Sequence, residues 1–143
     1  MKARPATAQD AARWDELVIA TGQPHLVQSV AWAELKALTG WEARRFMLDE
    51  GPGVAQVLVR RLPLGITVAY APRGPLVPAA ALPDAIVALR TSLAAERCAS
   101  LLCDPEVPAD DGVVGALERA GIRRSPVYVQ PRRTLLMDLT QEP

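Results

Sequence analysis

The chain lacks the means to build a disulfide framework or a zinc site. It has a single histidine, His25, and two cysteines, Cys98 and Cys103, five apart and without a CxxC spacing; residues so few and so placed predict reduced core thiols and imply no metal. No apolar run approaches a membrane span, and Met1-Lys2-Ala3-Arg4-Pro5 has no apolar stretch behind it, so the expected compartment is cytoplasmic. The chain also lacks net charge, with sixteen acidic residues against sixteen basic ones, and no overall field steers it to nucleic acid. The pairs Arg44-Arg45, Arg60-Arg61, Arg123-Arg124 and Arg132-Arg133 could build a local basic patch, but neighbours on a strand usually point to opposite faces, and a solvated surface is the expectation.

Asparagine is absent and lysine nearly so. The two lysines are Lys2 and Lys36, against fourteen arginines and thirteen prolines, the residue usage of a GC-rich genome. Lys36 therefore stands out as a compact, strongly hydrated cation in a chain that otherwise chooses arginine. With 143 residues, half of them apolar, the chain is large enough for one domain with a continuous core.

Local signals give the order of elements. Thr7 and Asp10 form a capping pair for a helix to about residue 20, with Ala11, Trp14, Leu17 and Val18 facing inward. Ser29 caps a second helix that ends near Thr39, before Gly40, with Ala31, Leu35 and Leu38 expected on its inner face. Strands are predicted at 42–48, 54–61 and 66–71, joined by hairpin turns at 49–53 and 62–65. A helix at 82–97, a short strand at 100–103, a helix at 110–120 stopped by Gly121, and strands at 122–129 and 134–139 complete the chain. This order predicts an α/β (α+β) fold, a GNAT-like mixed and mostly antiparallel sheet flanked by helices in a single domain. Such a scaffold does not name its chemistry.

An acetyl-CoA-binding member of that fold needs a glycine-rich loop whose amides cradle a pyrophosphate at a helix start. Arg61-Leu62-Pro63-Leu64-Gly65-Ile66 has the wrong spacing and a proline, and Pro78-Ala79-Ala80-Ala81 has no glycine. Acetyl-CoA is disfavoured as a donor.

Three further segments carry more. Gln28-Ser29-Val30-Ala31-Trp32-Ala33-Glu34-Leu35-Lys36, Tyr70-Ala71-Pro72-Arg73-Gly74-Pro75 and Asp104-Pro105-Glu106-Val107, in this order, resemble the amino-terminal half of the Fem family of peptidoglycan cross-bridge aminoacyltransferases. Val129-Gln130-Pro131 leading to Thr134-Leu135-Leu136-Met137-Asp138-Leu139 extends the likeness. The resemblance implies a GNAT-like amino-terminal domain over 1–143, with the family's second domain absent beyond Pro143. It implies transfer of an amino acid from aminoacyl-tRNA to the stem-peptide amine of a muramyl-pentapeptide precursor. No cofactor is implied, the tRNA is expected to contact mainly the second domain, and this half alone is expected to be inactive. A module that only grips a wall precursor or a protein, and an acetyltransferase with an unorthodox donor loop, stay open as alternatives.

By the same resemblance Lys36 contacts the precursor diphosphate, with Trp32 supporting its stem. Tyr70 and Arg73 flank a turn in which Pro72 fixes the backbone and Gly74 permits a positive φ; they are candidate substrate contacts, with a turn-stabilising arginine as the equal alternative. Asp104 is placed as the catalytic residue over the peptide groove. An amine of pKa ~10.4 costs roughly 4–5 kcal/mol to deprotonate at pH 7, so orienting the amine is the safer role for this carboxylate. Lys36 and Asp104 are expected to face one shared groove. His25, with no serine or cysteine partner, is expected on the surface or as a cap.

Overall fold

The computed structural model describes residues 1–49, 51, 53–107 and 110–131. Ten elements of helix and strand follow the chain: β1 (Ala3–Pro5), α1 (Ala8–Ala12), α2 (Trp14–Ala20), α3 (Val30–Ala37), β2 (Glu42–Leu48), β3 (Val54–Arg61), β4 (Thr67–Ala71), α4 (Leu82–Leu93), β5 (Cys98–Cys103) and α5 (Asp111–Arg119). The five strands form one sheet in the order β1-β2-β3-β4-β5. The first three pairings are antiparallel, and β4 and β5 are parallel, joined through α4. The fold is the mixed, mostly antiparallel sheet with flanking helices that the order of elements predicts. The expected strand at 134–139 and the pair Arg132-Arg133 lie outside the described residues.

Several boundaries differ. The strand β1 is not legible in the sequence: three residues are too few for a period, and Ala3–Pro5 is strand because it pairs with Phe46–Leu48. The first helix is two, broken at Arg13 (φ −119°, ψ 27°), although Thr7 and Asp10 do form the capping box. The helix expected to reach residue 97 ends at Leu93, followed by a 3-10 turn that closes on Arg97 at φ 53°. No strand occurs at 122–129, where the chain runs without regular pairing.

Strand alternation sorts the side chains into two layers. Phe46, Leu48, Val57, Val59, Ala69 and Ala71 face α4, whose Leu82, Ala85, Ile86, Leu89 and Leu93 complete the main core. The registers Arg45↔Gln56, Leu58↔Tyr70 and Tyr70↔Leu102 set Gln56, Leu58, Tyr70 and Leu102 on the other face. There Trp14, Val18, Val54 and Leu76 form a second, smaller cluster.

The inner face of α3 is not the expected one. Leu35 and Leu38 are exposed, while Ala33 is buried and Trp32 and Lys36 are half-buried. The reason is polar: Gln56 Nε2 donates to Ser29 O (2.8 Å) at the start of the helix, and Arg60 Nη2 donates to Thr39 O (3.2 Å) just past its end. These two bonds fix the helix rotation and bring small Ala33 to the sheet.

Candidate functional site

The site is built where the parallel strands β4 and β5 end. In open sheets the carboxyl ends of parallel strands are where ligands bind. At the end of β4, Ala71 to Gly74 form a turn closed by Gly74 N to Ala71 O (3.3 Å). Pro72 sets the first corner, and Arg73 takes the left-handed position at φ 50°, the pattern of a type II turn. Gly74, expected from the sequence to take the positive φ, does not hold that position. Gly74 is needed for a different reason: a Cβ there would stand 2.8 Å from Gln28 Nε2.

Asp104, one residue beyond β5, explains how a non-glycine residue holds that conformation. Its Oδ1 accepts from the Arg73 backbone N–H (2.6 Å) and its Oδ2 from the Tyr70 hydroxyl (2.7 Å). The three residues Tyr70, Arg73 and Asp104 therefore form one knot. Each carboxylate oxygen keeps a lone pair for an incoming donor. Burial raises the Tyr70 pKa first, and its bond to Asp104 raises it further, while Gln130 opposes. Burial, with Asp104 beside it, pushes the Cys103 thiol up to about 12. Both cysteines are free thiols.

Two hollows flank the knot. A groove of about 280 Å³ runs along β5 and α5, lined by Leu102, Asp104, Leu117, Ile122, Tyr128 and others. A smaller one of about 190 Å³ is lined by Gln23, His25, Arg73, Leu76, Glu106 and Val107, and Pro105 lines both. His25 caps the 3-10 turn at Leu26–Gln28, its Nδ1 accepting from Val27 N (3.3 Å), while Nε2 faces Glu106 at 3.7 Å. Arg73 Nη2 donates to Pro131 O (3.1 Å), and its Nε is buried without a partner among the described residues.

Trp32 and Lys36 form a second pair on α3. The ammonium stands 5.1 Å from the Trp32 ring centroid, a cation–π contact that positions the lysine stem. Trp32 Nε1 is buried and has no hydrogen-bond partner among the described residues, a donor beside a cation. The helix packs on the face to which Tyr70 and Leu102 point, so both groups share one side of the sheet. Along that side they stand apart. Lys36 is seven residues past Ser29, and two to three strands separate α3 from β5, a span on the order of 15 Å from helix rise and strand spacing. Neither hollow is lined by Trp32 or Lys36.

Gln28 ties the two groups, a role that the sequence alone does not reveal. Its Nε2 donates to Pro72 O (2.6 Å) and Gln56 O (3.0 Å), its Oε1 accepts from Gln56 N (2.7 Å), and its own carbonyl accepts from Trp14 Nε1 (2.8 Å). The amide fills the gap where β3 and β4 separate, before Val54 pairs with Leu76. The available signal was Gln56, one polar residue within the apolar run Val54 to Val59, since a buried amide demands partners.

The start of α4 is poor for a pyrophosphate. Ala81 makes no side-chain cap, Pro83 removes an amide, and Asp84 sets a carboxylate in the first turn. Among the described residues no group of three histidine, cysteine or acidic side chains is placed to hold a metal.

A mixed sheet with paired parallel strands, carrying an anchored carboxylate at their ends, defines a GNAT-like scaffold. A probable acetyltransferase shares this fold at TM-score 0.55 with 12% identity over 96% of the chain and 99% of its own, a likeness of fold alone. Residues 10–112 match the FemAB family, and this chain belongs to it. The lipid II:glycine glycyltransferase of Staphylococcus saprophyticus is 33% identical over 138 residues, covering 85% of this chain and 33% of that protein. Its counterpart in Staphylococcus aureus is 34% identical over 127 residues, 78% of this chain and 30% of that one. The crystal structure of FemX matches with TM-score 0.65 and 33% identity, over 85% of this chain and 32% of FemX. The chain thus spans about a third of the length of these relatives.

Proposed function

We propose that this chain is the acceptor-binding part of an aminoacyltransferase that adds an amino acid to the stem-peptide amine of a peptidoglycan precursor, on the cytoplasmic side. The observation that carries the reading is the likeness to lipid II:glycine glycyltransferases across most of the chain. The geometry agrees with it. Lys36, steadied by Trp32, takes the diphosphate, Asp104 orients the amine, and Tyr70 and Arg73 fix that carboxylate. The separation of the two groups suits an extended substrate that joins diphosphate to peptide through a sugar. The aminoacyl-tRNA is a partner of the whole enzyme, with its contacts mainly outside this domain.

Calorimetry of the chain with uridine-diphosphate-linked muramyl-pentapeptide tests the reading. Binding that weakens in Lys36→Ala supports it; no binding of the nucleotide-linked or the lipid-linked precursor overturns it. A second reading, a module that grips the precursor without taking part in transfer, is favoured by the bonds that already tie both Asp104 oxygens to Tyr70 and Arg73. It predicts that Asp104→Asn in the parent protein leaves turnover unchanged.

A further inference from the structure

We propose that the end of the domain formed by the last turn of α3 and the β3–β4 hairpin tip docks onto an anionic lipid bilayer. Four leucines are displayed there. Leu35 and Leu38 on α3 are 53% and 83% exposed, and Leu62 and Leu64 in the hairpin are 41% and 86% exposed. Arg60, which bonds Thr39 O and stands 5.7 Å from the Trp41 ring centroid, joins the helix end to the base of the hairpin. Leu64 holds φ 67°, a left-handed conformation that usually selects glycine or asparagine. A bulky leucine in that position, left exposed by the described residues, is an apolar group offered outward.

The charges around the leucines point to the kind of surface. Lys36, Arg60 and Arg61 adjoin them, and Arg97 Nη1 stands 3.4 Å from where a Cβ on Gly65 would be. Of the carboxylates at this end, Glu42 and Glu96 share the one charge of Arg44 and Glu34 is the third, so three carboxylates stand among five cations. In a chain without net charge this is a local excess of cations around exposed leucines, the combination that binds an interface of acyl chains and anionic headgroups. No helix among the described residues is long and apolar enough to cross a membrane, so the contact is peripheral. The inference rests on the proposed function in one respect, that the acceptor is lipid-linked. Its diphosphate then lies at the bilayer surface, beside Lys36, and the stem peptide runs away from the membrane toward Asp104.

Flotation with vesicles tests the surface. The chain should float with vesicles containing phosphatidylglycerol and not with pure phosphatidylcholine, and less so as salt rises. Leu38→Glu combined with Leu64→Glu should lower the bound fraction at least about tenfold while the circular dichroism melt is kept. Leu26→Glu, in the 3-10 turn that precedes α3 and 70% exposed, should leave binding as it was. Equal flotation with both vesicle types, flotation that survives the double substitution, or a dimer that the double substitution dissociates without any vesicle binding would each overturn the proposal. Calorimetry with the soluble nucleotide-linked precursor separates the two ideas. Precursor binding without vesicle binding sinks the docking surface alone, and vesicle binding without precursor binding sinks the proposed function alone.

Discussion

Gln56 and Arg60, four residues apart on β3, hold opposite ends of α3, one through Ser29 O and the other through Thr39 O. Four strand residues advance about 13 Å and the ten residues from Ser29 to Thr39 about 15 Å at helical rise, so helix and strand are close in length and run side by side. The pairing decides which side of α3 meets the sheet, and with it the placement of Lys36.

The polar joint beneath this helix should dominate local stability. Gln28→Leu leaves Pro72 O, Gln56 O and Gln56 N without the bonds that Gln28 makes, each at about 1–3 kcal/mol if buried and unpaired. We expect a loss of about 3 kcal/mol or more in urea unfolding, against about 2 for Gln56→Leu. Gly74→Ala should also destabilise, because its Cβ would strike the Gln28 amide. A neutral Gln28→Leu would show that the joint is not what closes the gap.

Much of the fold was legible because turn residues bound β2 and β3, because β3 carries a valine-rich run, and because Ser29 and the Thr7–Asp10 pair are caps in fact as in sequence. The site was legible in part: Tyr70, Arg73 and Asp104 meet, but only the fold brings together residues more than thirty apart. The rotation of α3 was not legible. Apolar spacing favours Leu35 and Leu38 as the inner face, and it is overruled by hydrogen bonds from a strand the sequence does not pair with that helix. Exposed leucines are then a surplus that periodicity alone would never report.

Alkaline pH should destabilise the protein in a way that reports on the knot. Tyr70 has its pKa raised in the folded state, so its stabilisation is complete below its unfolded pKa of about 10 and is lost as pH rises above it. Cys103, pushed up to about 12, adds the same sign from about pH 9 upward. Tyr70→Phe should lower stability at pH 7 by about 1 kcal/mol and flatten the alkaline decline. An unchanged slope between pH 9 and 12 would contradict the assignment.

The thiols give an independent check. Burial raises both Cys98 and Cys103, so the thiolate fraction at pH 8 is small in the native protein. Ellman's reagent should react with Cys103 far more slowly than with free cysteine, with Cys98 more slowly, and with both at ordinary rates once urea unfolds the chain. Fast native labelling of Cys103 would mean that the Asp104 end of β5 opens readily.

Acetyl-CoA should not bind measurably. Pro83 and Asp84 at the start of α4 deny a pyrophosphate both an amide and a favourable field. Micromolar binding by calorimetry would reverse this and favour an acetyltransferase.

On the proposed function, the two halves of the proposed site should separate in a transfer assay. Lys36→Ala removes a cation held over Trp32 and should weaken precursor binding by roughly 1–3 kcal/mol, the scale of a charge-assisted bond. Asp104→Asn keeps the size of the side chain but carries an amide where an oxygen now accepts from Tyr70 or Arg73. It should lower kcat and leave the precursor Kd nearly unchanged, the pattern of a group that acts on the amine in the transition state. Tyr70→Phe should shift kcat in the same direction by less, since Arg73 N–H still holds the carboxylate. If instead Asp104→Asn raises Kd and spares kcat, the carboxylate is a binding anchor, and the chemistry lies outside this domain.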